Sequence, residues 1–179
     1  MHTIYAFVSG PLAWAAFAVF FFGLIGRLAQ AFLLARKTDA GVFHYLALQY
    51  AVRSIVVWSI PFATRNMRKH PYMTITAFAF HIAMFGVAFF IPAHVMLFET
   101  GWFNLSWWAM PEKVADGLTL GIIACLLFFL FRRIFTPEAR YVSRPRDYVL
   151  LGLTALPFVS GLLAYHQIFN YQFMLILHI

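Results

Sequence analysis

The stretch FHIAMFGVAFFIPAH, Phe80 to His94, is as apolar as a membrane span, yet it carries a histidine near its start and another at its end. An imidazole without a hydrogen-bond partner is costly in lipid. A chain that places His81 and His94 in such a segment therefore needs a physical reason for both rings.

The composition surrounding this stretch indicates an integral membrane protein. Of 179 residues, 63% are hydrophobic and only 11% are charged, whereas soluble domains have about a quarter charged residues. A soluble fold of this length could not hide so much apolar surface, because much of a small globule stays exposed. We therefore predict an all-α integral membrane protein. Residues 1–179 are treated as a single domain, because internal repeats and low-complexity linkers are absent.

Hydropathy predicts a bundle of about five transmembrane helices, since about 20 apolar residues cross the hydrocarbon core. The predicted spans are Ile4 to Leu34, Tyr72 to Phe98, Val114 to Phe131, Tyr148 to Tyr165, and a fifth from Phe169 to Ile179. The fifth would rise only about 16 Å, about half of the core. Either the sequence is truncated or the last helix is a half-span. The first span lacks a basic leader and a cleavage site, which predicts a retained anchor.

Val42 to Ala63 is also apolar, but Arg53 lies near its middle, where a charge costs about 2.5–3.5 kcal/mol on insertion scales. Gln49 precedes Arg53 by four residues, so the two share a helix face. We predict a helix that lies in the interface on the cytoplasmic side.

The distribution of charge supports this topology. Twelve of the 13 basic residues fall on one side of the predicted spans, and by the positive-inside rule that side is cytoplasmic. They are Arg27, Arg36, Lys37, Arg53, Arg65, Arg68, Lys69, Arg132, Arg133, Arg140, Arg144 and Arg146. The N-terminus is then periplasmic, in the inner membrane of a bacterium. The net charge of +7 reports topology and contact with anionic lipid, not nucleic acid.

Several classes of site are excluded by motif. The only cysteine, Cys125, lies in the third span, so there is no cysteine-attached haem, cysteine-ligated iron–sulfur cluster or disulfide. P-loop, GxGxxG and HExxH motifs are also absent.

Histidine remains as the carrier of chemistry. His81, His94 and His178 lie within predicted spans, and His166 lies at the outer end of the fourth. A lone histidine in a membrane is more often a packing or hydrogen-bonding residue. Three at related depths favour a metal, and in an apolar helix bundle that metal is usually haem iron.

The depths of these histidines suggest pairings. His94 lies about 6 Å from the outer end of the second span and His178 about 13 Å into the antiparallel fifth, so they would face each other across a haem. His81 lies about 20 Å further inward and would hold a second haem. On an ideal helix, however, His81 and His94 point about 140° apart. His70 lies closer to the helix face of His81, but it belongs to the polar RNMRKHPY segment at the membrane edge. We therefore retain His94, not His70, as the predicted haem ligand.

Two of these histidine-containing stretches resemble a known family of membrane proteins. FHIAMFGVAFFIPAHVMLF followed by FMLILHI resembles the membrane cytochrome b subunit of respiratory nitrate reductase, the gamma-subunit family. The chain is more similar still to relatives in transmembrane redox complexes of sulfate-reducing bacteria, of the high-molecular-weight cytochrome c complex type, which YAFVSGPLAWAAFAVFFFGLIGRL also fits. The resemblance implies a five-helix subunit with two b haems, whose axial ligands match His81, His94 and His178. The fourth ligand would lie beyond Ile179, so two haems are expected, or one if the chain ends there.

The resemblance also implies a role in electron transfer with membrane quinone, usually menaquinone. MPEKVADG resembles the family segment in which a lysine contacts quinone, which makes Lys113 a candidate; a snorkelling interfacial lysine is the other interpretation. His166 is a second candidate, as a proton relay or as an ordinary interfacial histidine. Implied partners are a cytoplasmic iron–sulfur subunit and further membrane and periplasmic cytochrome c subunits. Such a subunit belongs to an oxidoreductase complex and has no catalytic residues of its own.

A different class of function stays open. A haem-free membrane anchor or a small transporter would use the same histidines for packing or for relaying protons. Intramembrane Asp or Glu would favour that class, and the four well-defined spans have none near their centres.

Overall fold

The computed structural model describes residues 2–38, 41, 43, 45 and 47–178, with backbone alone at 2, 5, 102, 171, 172 and 175. Val42 and Ile179, which bound segments predicted above, lie outside the described residues. The described residues form helices and no strand, as predicted. They divide into two compact units, Met1–Thr64 and Arg65–His178, and each is described by itself.

The first unit is built on one long apolar helix. Helix α1 (His2–Phe7) continues through a π-helical turn (Val8–Leu12), which contains Pro11, into α2 (Ala13–Thr38). The last turn of α2 contains Arg36 and Lys37. None of the α2 side chains is buried within the chain. Helix α3 (Leu48–Ser59) contains Arg53 and has 12 residues. That length rises only about 18 Å, which is too short to cross the hydrocarbon core.

The second unit is a set of helices whose apolar faces meet. Its elements are α4 (Arg65–Lys69), α5 (Pro71–Phe90), α6 (Pro92–Met96), a π-helical segment (Leu97–Trp102), α7 (Glu112–Phe135), α8 (Pro137–Val142), α9 (Pro145–Tyr165) and α10 (Tyr171–His178). Helix α5 packs on α7, α7 on α9, and α9 on α10. In the described part of the chain, four helices are long and apolar enough to span a membrane: Val8–Thr38, Pro71–Phe90, Glu112–Phe135 and Pro145–Tyr165.

The core of the second unit follows helical spacing. Phe80, Ala83 and Val87 of α5 recur at intervals of three and four residues and meet Ile122 and Leu126 of α7. Such spacing puts the side chains on one helix face. A methyl group added at Gly86 would come 3.6 Å from Leu118 Cδ1 and 3.8 Å from Met110 Cε, so this glycine faces packed side chains.

Helix ends in the second unit have local explanations. Pro71, Pro137 and Pro145 each occupy a first-turn position, where the missing N–H costs nothing. The Asp147 carboxylate accepts a hydrogen bond of 2.8 Å from the Arg144 backbone N–H and so closes the start of α9. At the other end of α9, Gln167 adopts a positive φ of 52°, which turns the chain back so that α10 runs antiparallel to α9.

Candidate functional site

The predicted second span, Tyr72 to Phe98, is interrupted. Helix α5 ends at Phe90, Ile91 is extended with ψ of 135°, and Pro92 starts the short helix α6. Proline has no N–H to donate to the carbonyl four residues earlier, which is that of Ala88. Because of this break, the angle of about 140° between His81 and His94, which assumes one ideal helix, does not apply.

The break leaves three carbonyl groups without their helical donors, and each accepts a hydrogen bond from another group. His94 Nδ1–H donates to Ala88 O at 2.8 Å, and the Trp107 indole N–H donates to Phe89 O at 2.7 Å. The Met110 backbone N–H donates to Phe90 O at 2.8 Å. In an apolar setting a carbonyl group without a partner is costly, so these three bonds hold the loop and the His94 ring against the end of α5.

The ring of His178 is held against α9. Its Nδ1–H donates to Pro157 O at 2.8 Å, and Ser160 Oγ lies 3.4 Å from the same nitrogen. A methyl group added at Gly161 would lie 2.8 Å from His178 Cε1 and 3.0 Å from Nδ1. Such separations are shorter than a real contact allows, so only glycine at position 161 lets the ring sit where it does.

We call the surroundings that position each ring its seat: Ala88 O at the end of α5 for His94, and Pro157 O beside Gly161 for His178. The two seats bring His94 and His178 together. Their ring centroids are 6.0 Å apart and their planes differ by 16°. Both side chains are half-buried. Two imidazoles that bind one metal ion from opposite sides, with metal–nitrogen bonds of about 2 Å, have centroids about 6 Å apart. The centroid distance by itself is therefore compatible with two ligands of one metal ion.

His81 has a different setting. It lies in the middle of α5 and is exposed, with Nδ1 2.7 Å from Ala77 O and its ring edge against Phe80. No second histidine ring contacts it among the described residues. Its partner, predicted beyond Ile179, stays a prediction.

The three predicted ligands share one hydrogen-bonding pattern. In each ring Nδ1 lies within hydrogen-bond distance of a backbone carbonyl oxygen. In the described part of the chain, no hydrogen bond reaches Nε2 of any of them. A proton fixed on Nδ1 leaves the Nε2 lone pair for a metal, and such a partner fixes the ring orientation and raises its basicity. No cluster of three or more His, Cys, Asp or Glu side chains capable of holding an ion occurs among the described residues.

The two quinone candidates lie at the end of the second unit where α7 begins and α9 ends. His166 Nε2 is 3.2 Å from Asp116 Oδ1, and both side chains are partly exposed. Lys113 is exposed in the first turn of α7, three residues before Asp116, so the two share a helix face.

Sequence reasoning missed Trp107, Gly161 and Asp116. Trp107 lies in a Trp-rich loop, which by itself indicates an interfacial belt. Gly161 is one of ten glycines, and only the folded position of His178 distinguishes it. The sequence did contain one indication of this site, Pro92, because a proline inside an apolar span leaves backbone carbonyls without their helical donors.

Comparison with known proteins gives one match. A protein of Nitratidesulfovibrio vulgaris strain Hildenborough, described only as "Protein", is 36% identical over 180 residues, which cover 98% of this chain and 79% of that protein. No family model matches the sequence. No solved structure matches it either.

Proposed function

This chain belongs to the same family as the Nitratidesulfovibrio vulgaris protein, and we propose that it is the haem-b-carrying membrane subunit of a respiratory redox complex. One observation carries the proposal. His94 and His178 face each other at 6.0 Å between ring centroids, each with Nδ1 held by a backbone carbonyl. Two imidazoles at this distance, with no hydrogen bond to either Nε2 among the described residues, support a place for iron between them.

The haem, when bound, supplies one-electron transfer. The chain supplies everything that tunes it. The carbonyls of Ala88 and Pro157 orient the two imidazoles and make them stronger donors. The apolar helices around them provide a low-dielectric setting, which together with bis-histidine ligation sets the potential.

A second haem on the inner side is part of the proposal. His81 is its ligand from this chain, since its Nδ1 shows the same carbonyl contact as the other two. The opposite ligand would come from the continuation of the fifth span. Two haems would carry electrons across the membrane, and one would serve if the span ends with α10.

Quinone, usually menaquinone, exchanges electrons near the outer haem. His166 holds Asp116 at 3.2 Å, so a proton released from quinol has a base with a carboxylate behind it. Lys113 on the same face of α7 would hold a quinone oxygen through its ammonium group.

The proposed setting is the bacterial inner membrane, with five spans, a periplasmic N-terminus and helix α3 in the cytoplasmic interface. The basic residues at the inner end would dock a cytoplasmic iron–sulfur subunit. Other membrane subunits and periplasmic cytochrome c subunits complete the complex.

The alternative is a haem-free anchor or small transporter subunit, and one observation favours it. His94 already satisfies a carbonyl stranded by Pro92, so its presence has a structural explanation without any metal. In that case His166 and Asp116 would relay protons.

The deciding experiment is a reduced-minus-oxidised spectrum of protein purified with its native complex, with a pyridine haemochrome count per chain. A count of two supports both sites, and a count of one supports the His94–His178 site alone. His94→Ala and His178→Ala should each abolish the outer haem, while His70→Ala, which removes an exposed histidine outside the proposed ligand set, should not. Absence of haem from the native complex would sink the proposal and leave the anchor or transporter.

A further inference from the structure

A cavity of about 570 Å³ lies at the basic end of the second unit, between the first turn of α5 and the last turns of α7. From α7 it is lined by residues spaced three and four apart: Phe128, Phe131, Arg132 and Phe135. From the other side come Lys69, His70 and Tyr72 among others. The spacing puts the α7 residues on one helix face, so the cavity has a single continuous wall there.

The charges of this cavity are of one sign. Lys69 and Arg132 both line it, and in the described part of the chain no carboxylate lies within ion-pair distance of either. The described carboxylate that forms ion pairs at this end, Asp147, faces Arg133 and Arg146 instead. The cavity therefore attracts an anion of some bulk.

The wall of the same cavity is aromatic. Phe131 and Phe135 are 52% and 72% exposed, and Tyr72 is 79% exposed. Arg132 stands between the two phenylalanines in sequence, so cationic and apolar groups lie side by side. A small hydrated anion would have no use for this apolar surface, but a phospholipid would place acyl chains there and its phosphate by the cations.

From these observations we propose that the cavity binds the headgroup of an anionic phospholipid, with the acyl chains along Phe131 and Phe135. The site does not depend on haem. It assigns Lys69 and Arg132 to lipid, so the docking of an iron–sulfur subunit under the proposed function would use the other basic residues. It would be filled from the leaflet that faces the basic side of the chain.

The test is native mass spectrometry of the full chain, released from detergent micelles that contain phosphatidylglycerol and phosphatidylcholine with identical acyl chains. Wild-type protein should retain one phosphatidylglycerol in preference to phosphatidylcholine. Lys69→Gln with Arg132→Gln should weaken that retention about tenfold, because each cation near a lipid surface adds to the attraction. Arg65→Gln with Arg140→Gln removes the same charge from exposed positions outside the cavity and should retain the lipid.

Three outcomes overturn the proposal. Equal loss in the control pair would mean that only overall charge matters, and equal retention of phosphatidylcholine would mean that only apolar packing matters. Full displacement of the lipid by millimolar inorganic phosphate would assign the cavity to a free anion. If the double variant does not purify, Lys69→Gln alone, at an exposed position, is measured in the same way, with a proportionately smaller loss expected.

Discussion

Two prolines in apolar helices of the second unit behave differently. Pro92 follows an extended residue, and the helix breaks there, whereas Pro157 lies within α9, which stays helical from Pro145 to Tyr165. In both places a histidine ring comes to a backbone carbonyl, Ala88 O at the break and Pro157 O in the intact helix. The two histidine seats therefore differ in origin: Ala88 O loses its helical donor to Pro92, whereas Pro157 O is that proline's own carbonyl, because the donor missing at Pro157 would have reached Leu153 O.

The difference lies in how many carbonyls are stranded. At Pro92 three carbonyls lose their helical donors. They accept hydrogen bonds instead from the His94 imidazole, the Trp107 indole and the Met110 backbone amide, all beyond the break. At Pro157 the helix loses at most one hydrogen bond, and the seat depends instead on the space left by Gly161. The hydrogen bonds formed at the break position His94, whereas His178 depends on the space beside Gly161 as well as on its bond to Pro157 O.

The largest expected effect comes from filling the space beside Gly161 that the His178 ring occupies. Gly161→Val places methyl groups where the His178 ring lies, so haem retention should fall by about tenfold or more. Gly152→Val is the matched control on the same helix, since a methyl group at Gly152 meets nothing within 4 Å. Titration of haem loss from both purified variants gives the comparison. Equal loss in the two would show that His178 is not seated as described.

Replacing each proline tests the first seat. Pro92→Ala supplies an N–H that competes with His94 for Ala88 O, so we expect about half of the outer haem to be lost. Pro157→Ala should leave the haem content unchanged, because α9 is already helical there. Haemochrome counts measure both. The distinction between the seats would fail if Pro157→Ala lost as much haem as Pro92→Ala.

Removing the indole donor should cost less. Trp107→Phe leaves Phe89 O without its partner, which is expected to lower the free energy of unfolding by about 1–3 kcal/mol. Trp108→Phe changes a residue that is 66% exposed and should shift stability by less than about 0.5 kcal/mol. Thermal unfolding in detergent, followed by circular dichroism, reports both. Similar shifts would mean that Trp107 contributes only apolar surface.

The smallest effect is expected at Ser160. Its hydroxyl group donates to Leu156 O at 2.7 Å and lies 3.4 Å from His178 Nδ1. Ser160→Ala should weaken haem retention about twofold, since the contact to the ring is long. Thr154→Ala removes an equivalent bond, to Leu150 O at 2.8 Å, without touching the ring, and should leave haem retention unchanged. A twofold change in both variants would assign the effect to α9 itself.

The helices were predictable because hydropathy is a local property. Four predicted spans recur as long apolar helices. The second was predicted to continue to Phe98 but its helix ends at Phe90, and the other ends differ by a few residues. The depth argument put His94 and His178 at comparable levels, and their rings do lie 6.0 Å apart; the haem itself stays a prediction. Pro92 indicates a break in the second span, but the parts played by Trp107 and Gly161 were not predictable. Each depends on a contact between residues far apart in sequence, and neither hydropathy nor spacing reports such contacts.

The convergence of donors at the end of α5 has a consequence for local unfolding. The groups that meet the last three carbonyls come from α6 and from the loop before α7. Releasing one leaves the others on a loosened turn, so the segment from Pro92 to Met110 should open as one cooperative unit. In hydrogen exchange the Met110 amide and the Trp107 indole should then exchange with a common opening rate. His94 would swing away in the same event, so the rate of that opening would set an upper limit on how long an outer ligand stays in place.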